Sequence, residues 1–467
     1  MGWIAALLSG LIAGFTYPTV FAGHQLPDLG FMAFFAWVPL FLSIRGSRPA
    51  GAFAKSFVAS MFHYGIGMYW IYTAMHSFGG LSSFTSVTAL FLLVALISAY
   101  FGLIFWIAQW ICRRNSLSPL WVRPFVWVGI EFLRGHIPAG GFPWSQIGYS
   151  QGGFLSFIQV SDIFGVYGVT WLLVFFNEAI SEAIVQWRRG KRSRAWKVAA
   201  IAAAFFLADL GYGRYQMVQE SAVPTQSLKV GIVQGNIPQE EKWDKSLAEQ
   251  NLEVFQNGTM GLEEQGASLI LWPEAALPYE LNYDAATVPY DLGQRRADLL
   301  FGAVTRPSAR SRNRHEETFH NTALLTDSQR KILGYYHKRH LVPFGEYVPW
   351  KDYLFFAKKM TAQVGELQPG EDYHPLEYKG GLLGVLIAVE TRRTLIRAAN
   401  TGLSSQIDRH GRVLWQGGLF TREAFLANLP YYNDRSLYVQ LGDVLPIFSL
   451  AFIGLMFLIP VLRRAPR

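Results

Sequence analysis

One cysteine, Cys112, is all that the 467-residue chain contains. That excludes an intrachain disulfide framework and any zinc site built on clustered cysteines. Charge is sparse as well: Asp, Glu, Lys and Arg make up 16% of the residues, against 51% hydrophobic ones. Soluble domains carry more charge than this, so the balance indicates a membrane protein. No CxxC pair, Walker A loop or GxGxxG fingerprint stands out, which leaves thiol-redox, nucleotide and dinucleotide chemistry without a motif. Internal repeats and low-complexity tracts are also missing.

Long apolar runs fill the space that charge leaves empty. Runs of spanning length lie near 3–21, 30–46, 56–75, 84–112, 118–134, 154–187 and 198–213, and an isolated one covers 440–462. A bilayer needs roughly 20 apolar residues per helix, so the second and fifth are marginal. The first has no basic leader and no cleavage site after it, and does not read as a signal peptide. Lys and Arg are absent from loops 22–29, 76–83 and 135–152. They gather instead in 45–55, 113–123, the "RRGKRSRAWK" stretch at 188–197 and the C-terminal "RRAPR". With eight spans, the positive-inside rule puts both termini and every basic loop in the cytoplasm and the segment after the seventh span outside. The net charge of +8 is then mainly a topology signal, and nucleic acid is excluded as a partner. The spans carry few charges that would pair inside a membrane, which argues against a transporter.

Between about 221 and 436 the composition becomes that of a soluble α/β domain. "SLKVGIVQGN", "ASLILWPEAA", "DLLFGAV", "NTALLTD", "ILGYYH" and "GGLLGVLIAV" read as strands, "KSLAEQNLEVFQNGTM" as an amphipathic helix, and "LSSQIDRHGRVLW" as a late hairpin. The expected architecture is a helical membrane bundle (1–213), a layered α/β domain (221–436) and a closing transmembrane helix (440–462).

Several residues in the α/β part have chemistry to offer, each with a plainer reading beside it. Glu274 follows a buried strand in "LILWPEAALP". An apolar setting there raises a carboxyl toward the working range of a general base, whereas the plain reading is a carboxylate capping a helix after Pro273. Lys338, in "YYHKRHLVPFGEYVP", is either an oxyanion-stabilising cation or part of a solvated basic turn, with Glu346 eight residues on. His337 and His340 have no third ligand at metal-binding spacing, and no metal is expected. Trp243, in "GNIPQEEKWD", lines an acyl-chain pocket or simply packs. Phe355 and Phe356, in "DYLFFAKKM", form an aromatic lid at the membrane interface or a core-facing helix. The loop "GHIPAGGFPWSQIGYSQGG" covers a lipid head group or belongs to the interfacial aromatic belt.

The stretch "GLLGVLIAVETRRTLIRAANTG" is anomalous. An apolar, strand-like run turns into an Arg-rich, helix-like segment with no intervening turn, although a strand end is where many α/β enzymes hold a nucleophile.

Taken together, "EFLRGHIPAGGFPWSQIGYSQ", "VGIVQGNIPQEEKWD", "LILWPEAALP", "YHKRHLVPFGEYVP" and "ETRRTLIRAANTGLSSQIDRHGRV" resemble the apolipoprotein N-acyltransferase family, membrane-bound members of the nitrilase superfamily. The resemblance runs along nearly the whole chain. It implies an enzyme of the bacterial inner membrane with a periplasmic nitrilase-like domain and no cofactor. It also implies a two-step reaction, in which a cysteine thiolate takes an acyl chain from a phospholipid and passes it to the N-terminus of a diacylglyceryl apolipoprotein. On that resemblance Glu274 is the general base, Lys338 the oxyanion stabiliser and Glu346 a supporting carboxylate, with Trp243, Phe355 and Phe356 facing substrate. The nucleophile is expected directly after Ile387, where the family has a "CYE"-type turn, then a helix, a strand and a further loop. Here Ala388 follows at once, so roughly fifty residues and the thiol are missing on this comparison. Cys112, Ser404, Ser405 and Thr391 are poor substitutes by position and chemistry. Two alternatives to the family reaction stand beside it: a non-catalytic relative that retains lipid or lipoprotein binding, and a nitrilase-type amidase.

Overall fold

Local chemistry sets the ends of the helices that the apolar runs form. In this computed structural model the described residues are all except 1, 18–19, 22–23, 26, 139, 219–223, 225, 240, 309–317, 343–344, 348–366, 372–374, 380, 384–387 and 463–467. Seven main helices precede the α/β part: α1 (Gly2–Gly14), α2 (Val38–Ile44), α3 (Pro49–Gly67), α4 (Ser83–Asn115), α5 (Pro119–Arg134), α6 (Val166–Arg188) and α7 (Arg192–Val218). Ser82 caps α4 by accepting from the Thr85 amide, and Ser118 with Pro119 starts α5. The helices α4, α6 and α7 are long and apolar enough to cross a membrane. Shorter apolar helical stretches cover Gly2–Gly14, Gly30–Ile44, Leu155–Phe164 and Val444–Pro460. The run expected at 154–187 is not one helix. One-turn helices Leu155–Ile158 and Ser161–Phe164 come first, and Gly165 at φ +63° then takes a left-handed conformation that ends them before α6 begins.

The centre of the bundle is aromatic. Trp37, Phe101 and Trp127 pack with ring centroids 4.7–5.6 Å apart. Charged groups are nonetheless buried alongside. Glu178 on α6 accepts from Arg45 at 2.7 Å and also pairs with Arg123 of α5. Arg45 reaches Glu182 at 2.5 Å, and Glu131 pairs with Arg134. The expectation of few paired charges in the spans is therefore corrected: Glu131 and Arg134 pair within α5, and the Arg45 and Arg123 contacts to α6 form only once the helices pack.

The α/β part starts with β1 (Gln226–Gln234), followed by α8 (Ala248–Glu264), β2 (Leu269–Leu271), β3 (Asp298–Arg306), β4 (His320–Thr326) and β5 (Ile332–His337). Then come β6 (Leu376–Tyr378), β7 (Gly381–Leu383), α9 (Ala388–Thr391), β8 (Leu395–Arg397), β9 (Ser405–Ile407), β10 (Val413–Gln416) and β11 (Glu423–Tyr431). The main sheet runs β11-β1-β2-β3-β4-β5, with the short strand Leu281–Asn282 beside β3. Its centre, β1 to β3, is parallel, and β11, β4 and β5 are antiparallel to their neighbours. Buried apolar residues recur on α8 at Ala248, Leu252, Phe255 and Leu262, a helical period that covers one face of this sheet. On the other face Leu228, Val230, Leu269 and Leu325 pack against Leu376 and Tyr378 of β6.

Among the described residues of that second layer, β6 and β7 pair with each other, and β8-β9-β10 form an antiparallel sheet that includes the expected late hairpin. Residues 384–387, which lead up to the expected nucleophile position after Ile387, lie outside the described ones. The last helix, α10 (Val444–Leu462), returns to the bundle. There Ile453 and Leu450 lie over Gly129 of α5, and Phe457 stacks on Trp110 of α4 at 4.3 Å.

Candidate active site

Glu274 lies in a tight turn just past β2, and no helix follows it, so the helix-capping reading does not hold. The turn rests on β3: Gly302 donates to the Pro273 carbonyl, and Leu277 donates to the Gly302 carbonyl, both at 3.2 Å. A Cβ on Gly302 would come within 2.4 Å of the Ala275 nitrogen, so only glycine lets the strand pass this close under Glu274.

Lys338 follows directly on β5 and is not a solvated turn residue. Its Nζ lies 2.9 Å from Glu274 Oε1 and 3.0 Å from Glu346 Oε1, placing one ammonium between two carboxylates. Asn321, at the start of β4, ties the same oxygens together, donating to Glu274 at 2.6 Å and to Glu346 at 2.8 Å. Its carbonyl accepts from the Lys338 amide at 2.8 Å, so backbone and side chain both hold the lysine in register. Glu346 Oε2 accepts from the Val342 amide at 2.7 Å, which leaves that carboxylate little freedom. Lys242 approaches from the other side and donates to the Glu274 carbonyl at 3.1 Å. Lys242, Phe255, Glu274 and Asn400 help to line a shallow depression there.

The electrostatics reverse one expectation. Partial burial alone would push the Glu274 carboxyl up, but the Lys338 ammonium and the bonds from Lys338 and Asn321 outweigh it and hold the group below the ordinary glutamate value. Lys338 is the mirror case. Desolvation would lower it, while Glu274 and Glu346 win and hold it above the usual lysine value. Lys242 is pulled down by burial, with Glu274 opposing. Glu274 is thus an ion-paired carboxylate, not one raised by an apolar setting, because its partner comes from 64 residues away in the chain.

These shifts set a pH window. A depressed carboxyl stabilises above its unfolded value, and that contribution is lost as pH falls through the folded value. A raised ammonium stabilises fully below its unfolded value, and its contribution is lost as pH rises through the folded value. The pair therefore supports the fold across neutral pH and fails at both extremes. Replacing Lys338 with Met is expected to move the Glu274 titration upward and to flatten the acid limb of a stability-versus-pH curve. Unfolding scans between pH 3 and 7 check this.

The other expected residues fall out as follows. Trp243 is half-buried, with the Lys242 ammonium 5.8 Å from its ring centroid. Phe355 and Phe356 lie outside the described residues. His337 bonds Thr322 at 2.8 Å and stacks on His320, and no metal-holding group of His, Cys, Asp and Glu occurs among the described residues. Ser404 is fully buried and donates to Gln234 at 2.6 Å, a structural role. Ser405 is a buried member of β9, and Thr391 is buried in α9. Cys112 is on α4, packed against the bundle core. Asn321 and Lys242 were not singled out by the sequence; a polar residue opening the apolar strand "NTALLTD" was the available signal for the first.

Residues 9–179 match the family model described as apolipoprotein N-acyltransferase N-terminal domain, and residues 229–417 match the one described as carbon-nitrogen hydrolase. The apolipoprotein N-acyltransferase of Geobacter metallireducens is 28% identical, with 95% of this chain and 92% of that protein covered. That of Methylococcus capsulatus is 27% identical, with 94% and 93% covered. The chain belongs to the apolipoprotein N-acyltransferase family. Its α/β part is the nitrilase-like domain of that family, and its apolar helices fit a bacterial membrane enzyme. The Geobacter alignment runs over 498 positions while covering 95% of 467 residues, about 444, so roughly 54 positions face gaps in this acyltransferase-family chain. Among solved structures, Saccharomyces cerevisiae Nit3 of the nitrilase superfamily is 15% identical, with 50% of this chain and 96% of that one covered and a TM-score of 0.31.

Proposed function

We propose that this chain has the frame of a phospholipid-dependent apolipoprotein N-acyltransferase but, as written, lacks the thiol that begins the reaction. Residues 1–213 are the membrane bundle, 221–436 the periplasmic domain and 440–462 the closing span, eight spans in all with both termini cytoplasmic. In the complete site Glu274 takes the proton of a cysteine thiol. The thiolate attacks the acyl ester carbonyl of a phospholipid, and Lys338 stabilises the oxyanion. The ester C–O bond breaks, the proton returns to the leaving alkoxide, and a thioester remains. The free amine of the diacylglyceryl-cysteine then attacks the thioester, Glu274 accepts its proton, and the thiol is released as the amide forms. Glu346 and Asn321 keep Lys338 and Glu274 aligned, and Trp243, Phe355 and Phe356 face the acyl chain.

The observation that carries this reading is the Lys338 ammonium held between Glu274 and Glu346. The surplus of roughly fifty alignment positions matches the length of a missing segment of this kind. An amidase acting on a small amide has no use for the helical bundle, whereas a lipid donor requires it.

Peptide mass spectrometry of the purified protein tests the gap directly. A tryptic product GGLLGVLIAVETR, from Gly380 to Arg392, is expected. Its absence, with peptides carrying a Cys-Tyr-Glu turn in its place, would mean a complete and active enzyme.

A further inference from the structure

The residues at and just after α9 plug into the helical bundle. Arg392 is 4% exposed, and its guanidinium donates to Asp162 Oδ2 at 2.8 and 3.2 Å and to Gln159 Oε1 at 2.5 Å. Asp162 is held from a third side by the Tyr212 hydroxyl of α7, 2.8 Å from its carboxylate. Gln159 also donates to the His410 carbonyl at 2.9 Å, and His410 Nδ1 lies 3.1 Å from the Arg392 guanidinium. Burial pushes the His410 imidazole down to about 4, so at neutral pH its ring nitrogen is free to accept. Two residues before Arg392, Glu390 accepts from the Val166 amide at 2.7 Å, at the start of α6. Glu390, Arg392 and His410 of the α/β domain thus engage Val166, Asp162 and Gln159 of the bundle. Buried, charge-assisted hydrogen bonds of this kind hold an orientation more sharply than sliding apolar surfaces.

We propose that Arg392 and Glu390 are positioning residues, which latch the nitrilase-like domain to the bundle and so set the height of the Glu274–Lys338 site relative to the bilayer. The purpose of that height rests on the acyl-transfer reading; the latch itself does not.

Double electron–electron resonance on the full chain tests it. In a Cys112→Ser background, nitroxides at Gly152→Cys on the bundle and Glu280→Cys near Glu274 should give one narrow distance peak. Arg392→Met is expected to abolish that peak in favour of a broad distribution. Arg392→Lys keeps a cation opposite Asp162 and is expected to restore it. If Arg392→Met does not accumulate, Gln159→Leu takes its place, removing bonds from both Arg392 and His410, with the same broadening expected. A narrow peak surviving in Arg392→Met, or in Gln159→Leu where that stands in, overturns the latch. These distances do not depend on catalysis, so loss of the acyl-transfer reading would leave them as they are. A thiol-restored enzyme that keeps its rate with a broadened distance would overturn the positioning role alone.

Discussion

Purified protein incubated with a phospholipid labelled in its sn-1 acyl chain is expected to give no hydroxylamine-sensitive adduct. The Glu274 carboxylate and the Lys338 ammonium are paired in the site, but nothing among the described residues there supplies a sulfur, and Ser404 and Cys112 are each committed elsewhere. A hydroxyl in place of the thiol is far harder to ionise, so the Glu274–Lys338 pair alone does not make a nucleophile. Inserting a family strand–turn–helix segment with its cysteine between Ile387 and Ala388 should restore both the adduct and complementation of a lipoprotein-maturation defect. In that restored protein Glu274→Gln should lower the rate by about 10²–10⁴-fold, the usual worth of a general base. Lys338→Ala should lower it by about 10²–10³-fold, the usual worth of one oxyanion donor. Label appearing on the unmodified chain would refute the reading.

The second large effect concerns the membrane bundle. Replacing Glu178 with Leu should destabilise the protein by about 3–5 kcal/mol, because breaking a buried pair leaves an uncompensated charge. Arg123 is 1% exposed and sits among Phe41 and Phe105, so it has no route to water once Glu178 is gone. Arg45 still has Glu182, which limits the loss to one stranded guanidinium. The double variant Arg123→Met with Glu178→Leu should recover most of the stability, since apolar residues of similar volume replace buried ion pairs at little net cost. Denaturation midpoints in detergent for the two singles and the double decide it, and an unaffected Glu178→Leu protein would mean the cluster is hydrated.

Much of this architecture was legible in the chain because its signals are local. The buried runs of β1 and β3, the helical spacing of α8 and the hairpin of β9 and β10 each sit within a short window. Glu274, Lys338 and Glu346 were likewise recognisable from the motifs around them. Their mutual arrangement was not. Whether Glu274 is raised or lowered depends on an ammonium 64 residues away, and on Asn321, which only strand register brings between the carboxylates. The latch was hidden for the same reason, with Asp162 and Arg392 being 230 residues apart. In the bundle, hydropathy located the segment at 154–187 but averaged over the left-handed Gly165 that divides it.

The return of α10 to α5 has a consequence for biosynthesis. The face of α5 around Gly129 is complete long before Leu450 and Ile453 exist to cover it. More than three hundred residues separate the end of α5 from the start of α10. At about 5–20 residues per second, translation leaves that face uncovered for roughly 15–60 s. A chain that ends between Tyr431 and Val444 has every strand of the α/β domain but leaves the α5 face around Gly129 uncovered. The helix made after the α/β domain thus closes a face that the earlier helices leave open.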